Sequence, residues 1–202
     1  MSIEIQLTAK EPKRARGKER VAALLDAAAA LIARKGYEAT TMTEIAQRAG
    51  AAIGSLYQFF PSKEALAEAL FNRYAERAAA RFQRVEQRAH GRSARELADL
   101  LVDYKLELRT DRDATIALST SVAGIVERRK PLGDALRGRI ASILRAANRA
   151  LSEDEAAAAA VIVSQVMKIV PALAATEDER PLPLIGEARK LLALYIGEVL
   201  RT

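Results

Sequence analysis

Residues 41–63 read TMTEIAQRAGAAIGSLYQFFPSK, and the spacing within them predicts two short helices, a tight turn between, and a third helix beginning at the end. Thr41 and Glu44 stand in the T-x-x-E order of a capping box, which satisfies free N–H groups at a helix start. Met42, Ile45, Ala46 and Ala49 then share one helical face. Gly50 follows at once and suits the left-handed residue that ends a helix. A second short helix, from about Ala52 to Gln58, turns Leu56 inward. Helix, glycine turn and short helix make a helix-turn-helix, whose second helix can lie in a DNA major groove.

Upstream, a helix is expected from about Lys18 to Lys35. Val21, Leu24, Leu25, Ala28, Leu31 and Ile32 form one stripe, Arg34 and Lys35 sit where the helix dipole favours cations, and Gly36 stops it. Its task is to brace the two short helices, which are too short to be stable alone. Residues 1–17 form a basic arm interrupted by Pro12 and Gly17. Such an arm can reach DNA phosphates or the minor groove, or remain a solvated terminus.

Downstream, Ser62 caps a long amphipathic helix over Glu64 to about Ala89. Arg73, Arg77, Arg81, Arg84 and Arg88 step along it, read as a solvated face pairing with Glu76 and Glu86 rather than as a nucleic-acid stripe. After His90–Gly91–Arg92, Ser93 and Glu96 form a second capping box for a helix to about Arg109. A further helix is expected over Arg112 to Arg129, ending before Lys130–Pro131, and Pro131 then opens the next, to about Leu151. Ser152 and Glu155 cap an Ala-rich helix to about Ala175, with Pro171 kinking its last turn. Thr176 to Pro183 reads as a loop, and Leu184 to Leu200 as the final helix. The expectation is an all-α chain of about nine helices. A basic arm (1–17) and a three-helix helix-turn-helix domain (18–63) precede a larger helical domain (64–202).

Composition fits this reading. Of 202 residues, 50% are hydrophobic and 4% aromatic, with alanine and leucine in excess, which favours helices over strands. The net charge of +6 permits nucleic-acid binding without requiring it. Residues 1–63 hold ten basic and six acidic side chains, whereas 64–202 hold 22 and 20, so the motif-bearing part is the more basic per residue. The absence of cysteine excludes disulfides and thiolate metal sites. The N-terminus lacks the apolar stretch of a secretory signal, and the longest apolar run, Ala156 to Val163, is short of the ~18 residues that span a bilayer. A cytoplasmic protein without membrane contact is the expectation.

The order T-T-x-x-x-I-A-x-x-A-G-x-x-x-G-x-L-Y-x-x-F-x-x-K, carried here by Thr40, Thr41, Ile45, Ala46, Ala49, Gly50, Gly54, Leu56, Tyr57, Phe60 and Lys63, resembles the tetracycline-repressor (TetR) family of bacterial transcriptional regulators. The resemblance covers about the first third of the chain. It implies that Tyr57 and Lys63 contact DNA phosphates. From the residues themselves, Thr41 and the free N–H groups beside it suit another phosphate. Gly54 permits close approach, and Thr43, Ala52, Ile53, Ser55 and Gln58 face the bases by position. Gln58 matches an adenine edge and Ile53 a thymine methyl. The family often has Ser or Thr at position 52 and a polar residue at 53; Ala52 cannot cap and Ile53 cannot bind phosphate, which points to apolar readout. Phe59 and Phe60 are expected in the core.

The resemblance further implies a homodimer on double-stranded DNA with a palindromic operator, joined by a four-helix bundle, and a cavity among the middle helices for an unidentified small-molecule effector. Ala156, Ala160, Leu191, Leu194 and Tyr195 on the last two helices are the expected dimer contacts; the alternative is that these faces complete the monomer core. Tyr104, Leu108, Thr115, Ser119, Val122, Ser164 and Met167 are the candidate pocket, mixing apolar walls with hydroxyls, and with few aromatics they suit an aliphatic or amphipathic effector. The function implied is a sequence-specific dimeric repressor released by its effector. The alternative is a non-specific basic nucleic-acid-packing protein, against which the near balance of charge in 64–202 argues. An enzyme is not expected: the single histidine, His90, has no G-x-S-x-G, phosphate loop or metal-ligand motif beside it, and neither a metal nor a cofactor is called for.

Overall fold

The computed structural model describes residues 15–119, 121–122, 124–179 and 182–201; most of the basic arm lies outside them. Among the described residues there are nine helices and no strand: α1 (Ala15–Lys35), α2 (Met42–Arg48), α3 (Ile53–Phe59), α4 (Lys63–Ala89), α5 (Ala94–Glu107), α6 (Arg109–Ser119), α7 (Ile125–Ala147), α8 (Glu153–Glu179) and α9 (Leu184–Val199). The all-α expectation holds. The chain forms two compact units. One comprises the described residues up to Glu76 with Thr110–Arg128, the other Arg77–Arg109 with the described residues from Arg129 onward.

In the first unit, α1 buries Leu24, Leu25, Ala28, Leu31 and Ile32 on the face that the periodicity marked. α2 packs on α1, and α3 on α2. Each short helix has seven residues, so its stability comes from burying Met42, Ile45 and Ala46, or Leu56, rather than from its own hydrogen bonds. Phe60 is buried as expected, whereas Phe59 is only half-buried.

Arg73 departs from the expected solvated row. Its side chain keeps only 11% of its exposure, pairing with Asp26 on α1 at 2.7 Å and Asp111 on α6 at 2.9 Å, and donating to the Leu25 carbonyl. It clamps three helices instead of facing water beside Glu76.

In the second unit, α5, α8 and α9 pack together. Phe82, Val85, Leu97, Leu101, Tyr104, Ile140, Leu144, Val163, Met167, Leu192 and Ile196 belong to one apolar cluster. Phe82 meets Tyr104 edge to face at 5.2 Å. Arg139 lies 4.8 Å from the Phe82 ring centroid and is held by both oxygens of Glu86, at 2.7 and 2.5 Å, which lowers the Glu86 pKa. Glu86 therefore does pair, but with α7 rather than with the arginines of its own helix.

Three boundaries differ from the sequence reading. The break after α5 falls at once, so α6 begins at Arg109 and ends at Ser119 instead of reaching Arg129. The next break is at Gly124, whose φ of 81° is left-handed, and Pro131 lies inside α7 rather than opening it. α8 continues through the buried Pro171 to Glu179, beyond the expected end at Ala175. By length and composition α8 is also the one described helix that could cross a bilayer, with a mean hydropathy of 1.8 over a window that is 44% buried inside the protein. Gln165 and Lys168 divide its apolar residues into short runs, so run length understated its overall apolarity.

Candidate nucleic-acid interface

The site is assembled from the start of α2 to the start of α4. Thr41 caps α2: its hydroxyl accepts from the Glu44 N–H at 3.2 Å, and Glu44 accepts from the Thr41 N–H at 2.9 Å. Lys35, from the end of α1, donates to both Glu44 oxygens at 2.6 and 2.7 Å. The Lys35 ammonium first, then the Thr41 N–H and hydroxyl, hold the Glu44 carboxyl down at about 2. The corner that aims α2 and α3 is thus pinned by a capping box and an ion pair together.

Gly50, at φ 63°, turns the chain out of α2. Ala52 opens α3 with extended backbone and no side-chain cap, as its side chain requires. Leu56 is wholly buried and anchors α3, with Gly54 and Gln58 opposite it on the helix. Flanking that open face, Ile53 is 40% and Tyr57 49% exposed, large surfaces for apolar and aromatic side chains of a folded protein. Gly54 and Gln58 are also exposed, and a Cβ on Gly54 would meet nothing within 4 Å, so the backbone there is open to close approach. Ala52, Thr41 and Thr43 are exposed and Ser55 half-buried. Seven of the nine sequence-predicted residues are therefore exposed on α2, α3 and the residues that open them, and Ser55 is half-buried.

Lys63, the ninth, has a more local setting. Its ammonium lies 4.2 Å from the Tyr37 ring centroid and donates to the Glu38 carbonyl at 3.2 Å. Burial first, then Glu64 and Glu38, pushes the Tyr37 phenol up to about 12, so it stays neutral beneath that cation. Sequence reading passed over Tyr37 and also counted Arg20 only among the charges of the N-terminal region. In the structure Arg20 donates to Ser55 Oγ on α3 at 3.4 Å. No local pattern signals a contact across 35 positions of sequence.

The candidate effector residues divide between the units. Tyr104, Leu108, Ser164 and Met167 are buried in the second, and Tyr104, Leu108 and Met167 share its apolar cluster. Thr115, Ser119 and Val122 belong to the first. The hydroxyls of Thr115, Ser119 and Ser164 donate to the Asp111, Ile116 and Val161 carbonyls, so each is turned back on its own helix. A cavity of about 300 Å³ lies in the second unit, lined by residues that include Glu86, Ala89, His90, Ile143 and Ala146, and none of the seven candidates lines it. His90 is exposed, in the turn after α4.

The candidate dimer residues also divide. Ala156 and Ala160 are fully buried within their own chain, which corrects their assignment to a surface between copies: they pack in the core cluster. Leu191 and Leu194 are 52% and 71% exposed, and Tyr195 is half-buried. The large apolar residues that α8 turns outward are Val161, Ile162 and Ile169.

Residues 24–70 match the family model of bacterial regulatory proteins, tetR family. Over 46 residues, 23% of this chain, the sequence is 52% identical to the HTH-type transcriptional repressor KstR of Rhodococcus jostii, and the match spans 22% of that repressor's length. A 67-residue match, at 42% identity, links it to the KstR repressor of Mycolicibacterium smegmatis and covers 33% of each chain. The structure of the regulator FadR from Bacillus subtilis, in complex with stearoyl-CoA, superposes with a TM-score of 0.65 at 20% identity, over 87% of this chain and 98% of that one. At this identity the likeness concerns the fold. The capped α2, the glycine turn and the exposed α3 all lie within residues 24–70, and it is this segment, about a quarter of the chain, that is similar to the tetR family of bacterial regulatory proteins.

Proposed function

We propose that the protein is a sequence-specific DNA-binding regulator, not an enzyme, acting in the cytoplasm as a homodimeric repressor that a small-molecule effector releases from a palindromic operator. The observation that carries this reading is α3: a seven-residue helix anchored by one buried leucine, with Ile53, Gly54, Tyr57 and Gln58 exposed. Such a helix fits a major groove, where Ile53 can pack on a thymine methyl and Gln58 can pair with an adenine edge. Tyr57, Lys63 and the free N–H groups beside Thr41 flank it for phosphate contact, and Thr43 faces the bases. Residues 18–63 serve as the DNA-binding head and 64–202 as the effector and dimer part. KstR of Rhodococcus jostii is itself named a transcriptional repressor, which supports the repressor sense.

Release requires an effector that prefers the non-binding arrangement of the protein, since equal affinity for both states shifts nothing. The paucity of aromatic side chains and the aliphatic core of the second unit favour an acyl or other amphipathic effector. FadR, whose fold this chain shares, was crystallised with an acyl-CoA, which supports that class. Selection of bound duplexes from a random pool is the direct test. Recovery of an inverted repeat, bound far more tightly than scrambled duplex of equal length, is expected; equal affinity for both would favour non-specific nucleic-acid packing instead. In a thermal-shift screen, stabilisation by acyl chains is expected, and a response confined to planar aromatic cations would overturn the effector class.

A further inference from the structure

We propose that Arg20, on α1, is a DNA-phosphate ligand that supplies the cation α3 lacks and is positioned for it by Ser55. The inference rests on the reading of α3 as the groove-entering helix and adds to it a contact from outside the motif.

The sequence of α3, IGSLYQF, contains no charged side chain. Much of the affinity of a protein for duplex DNA comes from cations that neutralise phosphates, so a head of this kind needs them on neighbouring elements. Of two nearby lysines, Lys35 is committed to Glu44 at 2.6 Å, and Lys63, which keeps donors for phosphate, is also drawn to the Tyr37 ring and the Glu38 carbonyl. Arg20 differs from both. It is exposed, and among the described residues it makes no ion pair; its one side-chain bond is from Nη1 to Ser55 Oγ. Among the described residues this is also the one hydrogen bond that joins an α3 side chain to a side chain on another element.

A guanidinium carries five donors in a planar fork. One is spent on Ser55, which fixes the head group beside the third residue of α3, and the rest remain for an incoming anion. The fork matches two phosphate oxygens at once, in a way an ammonium cannot. The choice of phosphate over base follows from where the side chain is rooted. α1 braces the motif from behind rather than entering the groove, and contacts from flanking elements position a protein on the backbone. Arg16, one turn earlier on the same face of α1 and likewise exposed, extends the positive strip in the same direction.

The test uses the full chain and two fluorescent duplexes: one recovered by selection with the unaltered protein, the other its scrambled counterpart. Binding is measured over a series of KCl concentrations for the unaltered protein, Arg20→Ala and Arg20→Lys. Arg20→Ala is expected to weaken both duplexes by the same factor, about tenfold. It should also flatten the slope of log affinity against log salt by about 0.9 for each Arg20 in contact with DNA. Arg20→Lys, which keeps the charge but loses the fork, is expected to retain the slope while losing part of the affinity. Unchanged affinity and slope in Arg20→Ala would overturn the proposal. So would a loss confined to the selected duplex, which would make Arg20 a base reader. If the unaltered protein binds both duplexes equally while Arg20→Ala flattens the slope, the sequence-specific reading fails and the phosphate ligand stands. If it binds neither, both fail.

Discussion

At the scale of single residues, the corner at Thr41 governs how α3 is presented. Its hydroxyl donates to Glu44 Oε2 at 2.9 Å and accepts from the Glu44 N–H, so it is committed to the cap. Thr41→Ala is therefore expected to destabilise the protein by about 1 kcal/mol in urea unfolding, the usual cost of losing an N-cap. The carboxylate adds a pH dependence with a definite sign. The folded-state value for Glu44, about 2, lies below its ordinary 4.5, so the stability it contributes is fully present above pH 4.5 and disappears as pH falls towards 2. Glu96 is depressed to about 2 by the Ser93 N–H and then Arg92, and shares in the overall acid loss. Glu44→Gln isolates one contribution: the gap in urea midpoint between it and the unaltered protein should be widest at neutral pH and close between pH 4.5 and 2. All three capping boxes were legible in the sequence because both partners lie three residues apart. The Lys35 partner of Glu44 was not, because it depends on how two helices cross.

At the scale of elements, local pattern located the helices and misjudged where three of them stop. Lys130–Pro131 reads as a stop because proline lacks the N–H that an interior helical position donates. The structure tolerates Pro131 inside α7, where it is exposed, and uses Gly124 as the stop. The two positions give opposite expectations. Gly124→Ala must hold a side chain at φ 81° and should destabilise by about 1 kcal/mol or more. Pro131→Ala restores a helical donor and should raise the urea midpoint. A lower midpoint for Pro131→Ala would mean that the proline ring contributes more than its backbone costs. Arg73 shows the other limit of local pattern. Read along α4 it is one arginine of a row, but its partners lie 47 and 38 positions away on α1 and α6. Arg73→Ala takes one guanidinium away from the Asp111 carboxylate, whose side chain is only 11% exposed. A loss of about 3 kcal/mol is expected, well above that of a surface ion pair.

At the scale of the whole molecule, the alanines misled about which surface a second copy of the proposed regulator would meet. Residues 156–160 are five consecutive alanines, so periodicity cannot tell which face is buried, and small size suits a core and an interface equally well. The structure turns Ala156, Ala159 and Ala160 inward. It leaves Val161, Ile162 and Ile169 on α8 and Leu191 and Leu194 on α9 in the open, on two helices that pack against each other. Leu191 and Leu194 are three positions apart and so share a face. Burying one leucine is worth about 1.5–3 kcal/mol, so both leucines from each of two copies would supply a substantial part of a stable association. Leu194→Glu puts a charge where such a contact would exclude water, yet at 71% exposure it disturbs little inside the chain. The expected result is a monomer by analytical ultracentrifugation with the helical circular dichroism spectrum unchanged. Operator binding should then weaken by orders of magnitude and lose its dependence on the spacing between half-sites, because one head alone makes too few contacts. Ala160→Leu provides the contrast. Its extra volume falls in the core, so it should lower the urea midpoint while leaving the association state as it was. A Leu194→Glu protein that still sediments as a dimer would move the interface away from the exposed face of α9.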